Sequence, residues 1–177
     1  AMKLVLSSAE ASTLASGSTH NLQAYEAFLQ GKLLAALDRA TPERMQSAIQ
    51  QFDRAIALDP QFADAWSRKV RAQLTSYWYG FSDVSSRDAA IVSMEQARRL
   101  APEAMETWLA QAYIYYWGSR DYDSAEATLA RVLERAPELA EAWYARGLVA
   151  RRDGRFDDCV KALRRSLELD PLNTDIM

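Results

Sequence analysis

The side chains best suited to chemistry are few and scattered. The chain has one histidine, His20, and one cysteine, Cys159. A tetrahedral metal site takes three or four closely placed imidazole, thiolate or carboxylate ligands, and no such spacing surrounds His20. It lies on the approach to a helix, where a solvent-exposed residue near a cap is expected. A reactive thiolate needs cationic surroundings and partial exposure. Cys159 instead falls where a helical pair requires a small residue, so a buried packing role is expected. Asp157-Asp158 stand at a helix start, where the dipole and solvent already account for two carboxylates. There is no glycine-rich phosphate loop and no nucleophile elbow. The expectation is no catalytic residue, no metal and no cofactor, and a lone cysteine excludes an internal disulfide.

The residues that recur are tryptophans and prolines. Trp66, Trp108 and Trp143 are spaced by 42 and 35; Pro60, Pro102, Pro137 and Pro171 by 42, 35 and 34. Both landmarks stretch together, so they belong to one repeated unit, and the spacing of 42 reads as a unit with an inserted loop. The last unit, Glu138–Pro171, is the clearest. Its first helix carries Trp143, Gly147 and Ala150, and Asp153-Gly154 makes the turn. The second helix carries Phe156, Cys159, Leu163 and Ser166 and stops at Asp170-Pro171. A large ring fills the seam between two helices, while small residues let the axes approach to roughly 8–10 Å. The small positions are Gly147 and Cys159, then Ala112 and Ala125, and earlier Ala90 and Ala97. Each proline ends one helix and suits the first turn of the next.

Helical pairs of this length and punctuation resemble the tetratricopeptide repeat (TPR) family over about residues 22–171. The resemblance implies an all-α, right-handed superhelical solenoid of antiparallel helix pairs, about four repeats long. Asn21–Gly31, Thr41-Pro42-Glu43 and Phe52–Pro60 look like the opening of TPR tails in bacterial nucleotide cyclases and winged-helix regulators, which implies a larger bacterial regulatory protein. It also implies a non-catalytic protein–protein interaction scaffold that binds a peptide or partner domain in a concave groove lined by first helices. With tryptophan as the fourth position of a unit, the groove-facing positions supply the candidate partner contacts. These are Asp64 and Arg71, then Glu106, Tyr113, Tyr116 and Trp117, then Glu141, Tyr144 and Arg151. They make an acidic edge, an aromatic floor suited to hot-spot contacts, and a few arginines. Aromatic residues at helical spacing are also the usual makings of a core, and Tyr77–Phe81 reads as loop packing. The lysine, asparagine and arginine pattern of a carboxylate clamp is absent: Ser67, Leu109 and Tyr144 hold the fifth positions.

The elements follow from punctuation. Residues 1–20 read as a lead-in helix or linker, with Ser7-x-x-Glu10 as a capping box, Ala1-Met2 as a tag remnant, and an upstream domain before it. Residues 21–171 form the array, and 172–177 the truncated start of a further helix. A helix is expected over about Leu22–Leu37, capped by Asn21 or Thr19, with Leu22, Tyr25, Leu29, Leu33 and Leu37 as its stripe. Thr41-Pro42-Glu43 opens the next, whose stripe is Met45, Ile49, Phe52 and Ile56. Ser82–Ser86 supplies the extra loop, with Ser85 or Ser86 as a cap. In the last helix Phe156, Val160, Leu163 and Leu167 form a stripe that no full helix covers. Either the natural protein continues or the stripe pairs with another chain, so a homodimer through terminal helices is a second expectation. It makes self-association or signal relay within a cyclase or transcription regulator the alternative function. Net charge is −3 and the pI about 5.3, which gives no electrostatic case for nucleic acid. No apolar run is long enough to span a bilayer, Met2–Leu6 is too short for a signal peptide, and a cytoplasmic protein is expected.

Overall fold

The computed structural model describes residues 19–36 and 40–171, and every regular element among them is helical. α1 (Leu22–Leu34) is capped by Asn21, whose side-chain oxygen accepts from the amides of Gln23 and Ala24 at 3.0 and 3.2 Å. Thr19 backs this cap, accepting from the Asn21 amide and donating to the Asp59 carboxylate at 2.5 Å. α2 (Pro42–Leu58) starts on Thr41, with Pro42 in its first turn. There follow α3 (Ala63–Trp78), α4 (Val84–Leu100), α5 (Met105–Tyr113) with a π-helical extension (Ile114–Ser119), α6 (Tyr122–Arg135), α7 (Ala140–Arg152) and α8 (Phe156–Leu169). Consecutive helices pair as α1–α2, α3–α4, α5–α6 and α7–α8. Each later first helix, α3, α5 and α7, also packs on the second helix of the pair before it.

The first helices α3, α5 and α7 begin with no side-chain cap. A different bond fixes the turn before each of them. The indole nitrogens of Trp66, Trp108 and Trp143 donate to the carbonyls of Pro60, Pro102 and Pro137 at 3.3, 2.9 and 2.8 Å. The bond ties the ring in the seam to the turn that opens its helix. That is why tryptophan and proline keep their separation while the unit length varies.

The variation itself resolves into helix, not loop. In the 42-residue unit α3 has 16 residues and α4 has 17, against 13 and 14 in α7 and α8. The connection 79–83 is only slightly longer than 153–155. Most of the expected inserted loop has therefore gone into about one extra turn on each helix, where the added backbone groups bond internally. The cap of α4 is Asp83, not Ser85 or Ser86; its carboxylate accepts from the Ser85 amide at 2.9 Å. The 35-residue unit has one surplus residue, and the π turn at Ile114–Ser119 takes it up, as single-residue insertions in helices commonly do. The turn-closing amides of Phe81 and Arg155 reach back five residues, to Ser76 and Ala150; that of Asp121 reaches back six, to Tyr115. Gly80 and Gly154 take the left-handed conformation these turns need, and in the π-containing unit Arg120 does so, at φ 58°.

Most expected core stripes hold. Met45, Phe52, Ala125, Leu129 and Val132 are fully buried, with Ile49 and Ile56 half-buried, and the small seam residues including Cys159 are buried. α1 departs from expectation. Its buried face is Ala24, Ala27, Phe28 and Gly31, while Leu22, Leu29 and Leu33 are exposed. Small residues win because they allow close approach: a β-carbon at Gly31 would lie 2.6 Å from the Phe52 ring. The helix stops at Leu34, and Leu37, the Ser7–Ala15 segment and residues 172–177 lie outside the described residues.

Candidate functional site

First helices of successive pairs bring Asp64, Arg68 and Arg71 (α3), Glu106 and Tyr113 (α5) and Glu141 and Tyr144 (α7) to one side of the array. Arg68 is the centre. Its guanidinium donates to Glu106 at 2.7 Å and to both oxygens of Glu141 at 2.9 Å. Arg71 pairs with Glu141 as well. Residues of the second, third and fourth pairs therefore meet over the face of α5, where small Ala110 lines the space beneath them. Glu106 and Glu141 of the predicted acidic edge both accept from Arg68, which neutralises them internally.

Burial shapes the electrostatics. Desolvation opposes the Glu141 carboxylate, yet the Arg68 and Arg71 guanidiniums outweigh it and hold the group down at about 2. Desolvation likewise opposes the Arg68 cation, and Glu106 and Glu141 overcome it and push its pKa up. Asp64 lacks such partners. Desolvation first, then the charge of Glu106, raise it to about 6 against the weaker pull of Arg68 and Lys32.

Tyr113, Tyr116 and Trp117 are 1–2% exposed and belong to the main core cluster. Tyr113 and Trp117 ring centroids are 4.7 Å apart, and Trp78 from the end of α3 packs on Tyr116 at 5.4 Å. Cations roof the cluster: Arg71 lies 5.0 Å from the Tyr113 centroid and Arg152 5.2 Å from that of Trp78. The aromatic floor is thus a packed layer beneath side chains that bridge α3 and α7. Trp78 joins it, so part of Tyr77–Phe81 packs into the array. Tyr144 is also buried, while Arg151 is exposed. Register counting misses Arg68, because it lies one position beyond a groove position and its partner is 73 residues away.

Beside this network a recess of about 120 Å³ opens between α1 and α3, bordered by Lys32, Phe52, Arg68, Arg71 and Thr75. It is roughly the size of one side chain, and its lining combines Phe52 and alanines with the cations Lys32, Arg68 and Arg71. Among the described residues no group of three His, Cys, Asp or Glu could hold a metal ion, and no helix is long and apolar enough to cross a membrane.

Comparison with known proteins bears on the repeat. Residues 114–174 match the family model described as "Tetratricopeptide repeat". No curated protein sequence matches the chain. Among solved structures, a thermophilic TPR protein of Thermus thermophilus is similar at TM-score 0.52 and 19% identity, over 86% of this chain and 94% of that one. Two crystal structures of MamA show 20% and 19% identity at TM-scores 0.48 and 0.49. They cover 84% and 91% of this chain and 73% and 84% of their own. Helix pairs, indole-to-proline bonds, the family-model match and the Thermus structure agree: the described chain has the fold of a tetratricopeptide-repeat solenoid, and residues 114–174 carry the family's repeat.

Proposed function

We propose that the chain is a non-catalytic interaction scaffold that holds an extended peptide or partner surface along its concave face. TPR folds generally serve as protein-interaction scaffolds, and the observation that carries the finer reading is the recess between α1 and α3 with its rim of Lys32, Arg68 and Arg71. A side-chain-sized recess bordered by charged groups is the usual anatomy of an anchor position. Asp64, Arg71, Glu106, Glu141 and Arg151 would meet the partner around that anchor. The packed layer of Tyr113, Tyr116, Trp117 and Tyr144 would hold the surface rigid. Peptides selected from a random display library on the immobilised chain provide the test. Lys32→Glu and Arg151→Glu, both on exposed residues, should cut their binding at least tenfold with helical content unchanged. Unaltered binding by both variants would remove the concave face from the proposal.

The similarity of Asn21–Pro60 to regulator tails extends the proposal to a segment of a larger bacterial regulator. An immunoblot of source cells should then show a band far above 19.9 kDa; a band at that mass would overturn this extension. A second reading, self-association, is favoured by apolar side chains left open at both ends of the array, Leu33 on α1 and Phe156 on α8.

A further inference from the structure

Inside the array each second helix packs on the first helix of the next pair. The register at that junction is four, eight, eleven and fifteen residues before the closing proline. It is mostly apolar in α2, reading Ile56, Phe52, Ile49, Met45, and in α6, reading Leu133, Leu129, Glu126, Tyr122. Met45, Phe52, Leu129 and Leu133 are buried there. In α4, by contrast, it reads Arg98, Met94, Ile91, Arg87 and leaves Ile91 44% exposed. In α8 it reads Leu167, Leu163, Val160, Phe156, and Phe156 and Val160 are 68% and 48% exposed. α8 presents a surface like that of α2 and α6, and among the described residues its Phe156 and Val160 stay open.

The complementary surface stands at the other end. Gly31 meets Phe52 as Gly147 meets Leu163, which aligns α1 with α7. Leu29 and Leu33 then occupy the positions of Ala145 and Val149, which are 1–2% exposed. Gln30 aligns with Arg146, which reaches the preceding second helix by its 2.6 Å pair with Glu126; Lys69 of α3 does the same to Asp53 of α2 at 2.6 Å. This side of a first helix therefore faces the preceding pair. In α1 it carries Leu29 and Leu33, 41% and 74% exposed.

The residues before α1 do not carry the covering pattern. Counted back from Asn21, the four register positions are Gly17, Thr13, Glu10 and Leu6.

We propose that copies of this chain associate head to tail, the α8 face of one copy docking on the α1 leucine face of the next, so that the solenoid runs on across the junction. This rests on the self-association reading and refines it, because such an interface is heterologous and leaves both end faces free to add further copies. It repeats a junction the chain already makes three times within itself.

Light scattering on the 177-residue chain over a concentration series tests it, with Leu33→Glu and Phe156→Glu as variants at exposed sites and circular dichroism to confirm their fold. The wild-type mass should rise with concentration beyond twice 19.9 kDa. Each variant alone should remain at the single-chain mass. An equimolar mixture should form a species of twice that mass and no larger, since Leu33→Glu keeps a working α8 face and Phe156→Glu a working α1 face. A concentration-independent wild-type monomer would overturn this proposal and self-association together. A dimer of Leu33→Glu alone would overturn only the head-to-tail form, leaving α8–α8 pairing. A wild-type monomer that assembles once residues 1–18 are deleted would assign the α1 face to that segment.

Discussion

At the residue scale, single atoms decide how closely helices approach. Gly147 has no β-carbon, and one placed there would stand 2.7 Å from the Leu163 side chain. Gly147→Ala gains helix propensity of about 1 kcal/mol but overpacks the seam, for which typical costs are about 1–3 kcal/mol. The urea midpoint should therefore fall; a rise would show that Leu163 can repack freely. Arg120 is the opposite case. It holds φ 58° without being glycine, a conformation costing a side-chain-bearing residue roughly 1–2 kcal/mol. Arg120→Gly should stabilise the chain by about 0.5–1 kcal/mol, once the extra freedom of glycine in the unfolded chain is set against that relief. A loss of stability would mean that the Arg120 side chain contributes more than its backbone strain costs.

At the element scale, an indole ties down the turn that precedes each later first helix. Trp108 is 8% exposed and donates to the Pro102 carbonyl at 2.9 Å, while the guanidiniums of Arg131 and Arg135 lie over its ring at 4.4 and 4.2 Å. Trp108→Phe keeps an aromatic ring in the seam and removes the donor. It should cost about 1–3 kcal/mol, the penalty for leaving a partly buried carbonyl unpaired, read as a lower melting temperature with native helical content. No change would show that solvent reaches the carbonyl and replaces the indole. The π turn belongs to this scale too. One surplus residue in a helix either shifts every later side chain by about 100° or is absorbed locally, and the structure absorbs it between Tyr113 and Arg120.

At the scale of the whole molecule, the ion network joins three helix pairs and gives stability a defined dependence on pH. Asp64 is raised from 3.8 to about 6, so the folded chain holds a proton that the unfolded chain has released. Stability from this group is full below about pH 4, declines as pH rises to 6, and is lost above it. A shift of that size corresponds to roughly 2–3 kcal/mol. Asp64→Asn should be more stable than wild type by about that amount at pH 7, and the difference should vanish below about pH 4. A difference constant across pH would refute the titration. Glu141, depressed from 4.5 to about 2, acts with the opposite sign: its contribution is present above about pH 4.5 and is lost as pH falls toward 2. Acid unfolding should therefore accompany release of the Arg68–Glu141 bridge.

The repeat, its four pairs and most buried stripes were legible in the amino-acid order, because they arise from local chemistry. Proline stops helices, tryptophan and small residues mark the seam, and a period of about 3.6 sorts side chains onto faces. Three features were not legible, and each depends on what a neighbouring element leaves open. The leucines of α1 face outward because Gly31 and three small or aromatic neighbours fit α2 better. The 42-residue unit spends its surplus on helix because longer helices satisfy their own backbone bonds. The predicted groove aromatics form a buried layer roofed from both sides, by Arg68 and Arg71 reaching from α3 to Glu141 and by Arg152 reaching from α7 to Trp78. Sequence alone determined the kind of solenoid this chain builds. Its tertiary structure decided which of the groove positions remain open to a partner, since burial there depends on side chains brought together from helices more than 70 residues apart.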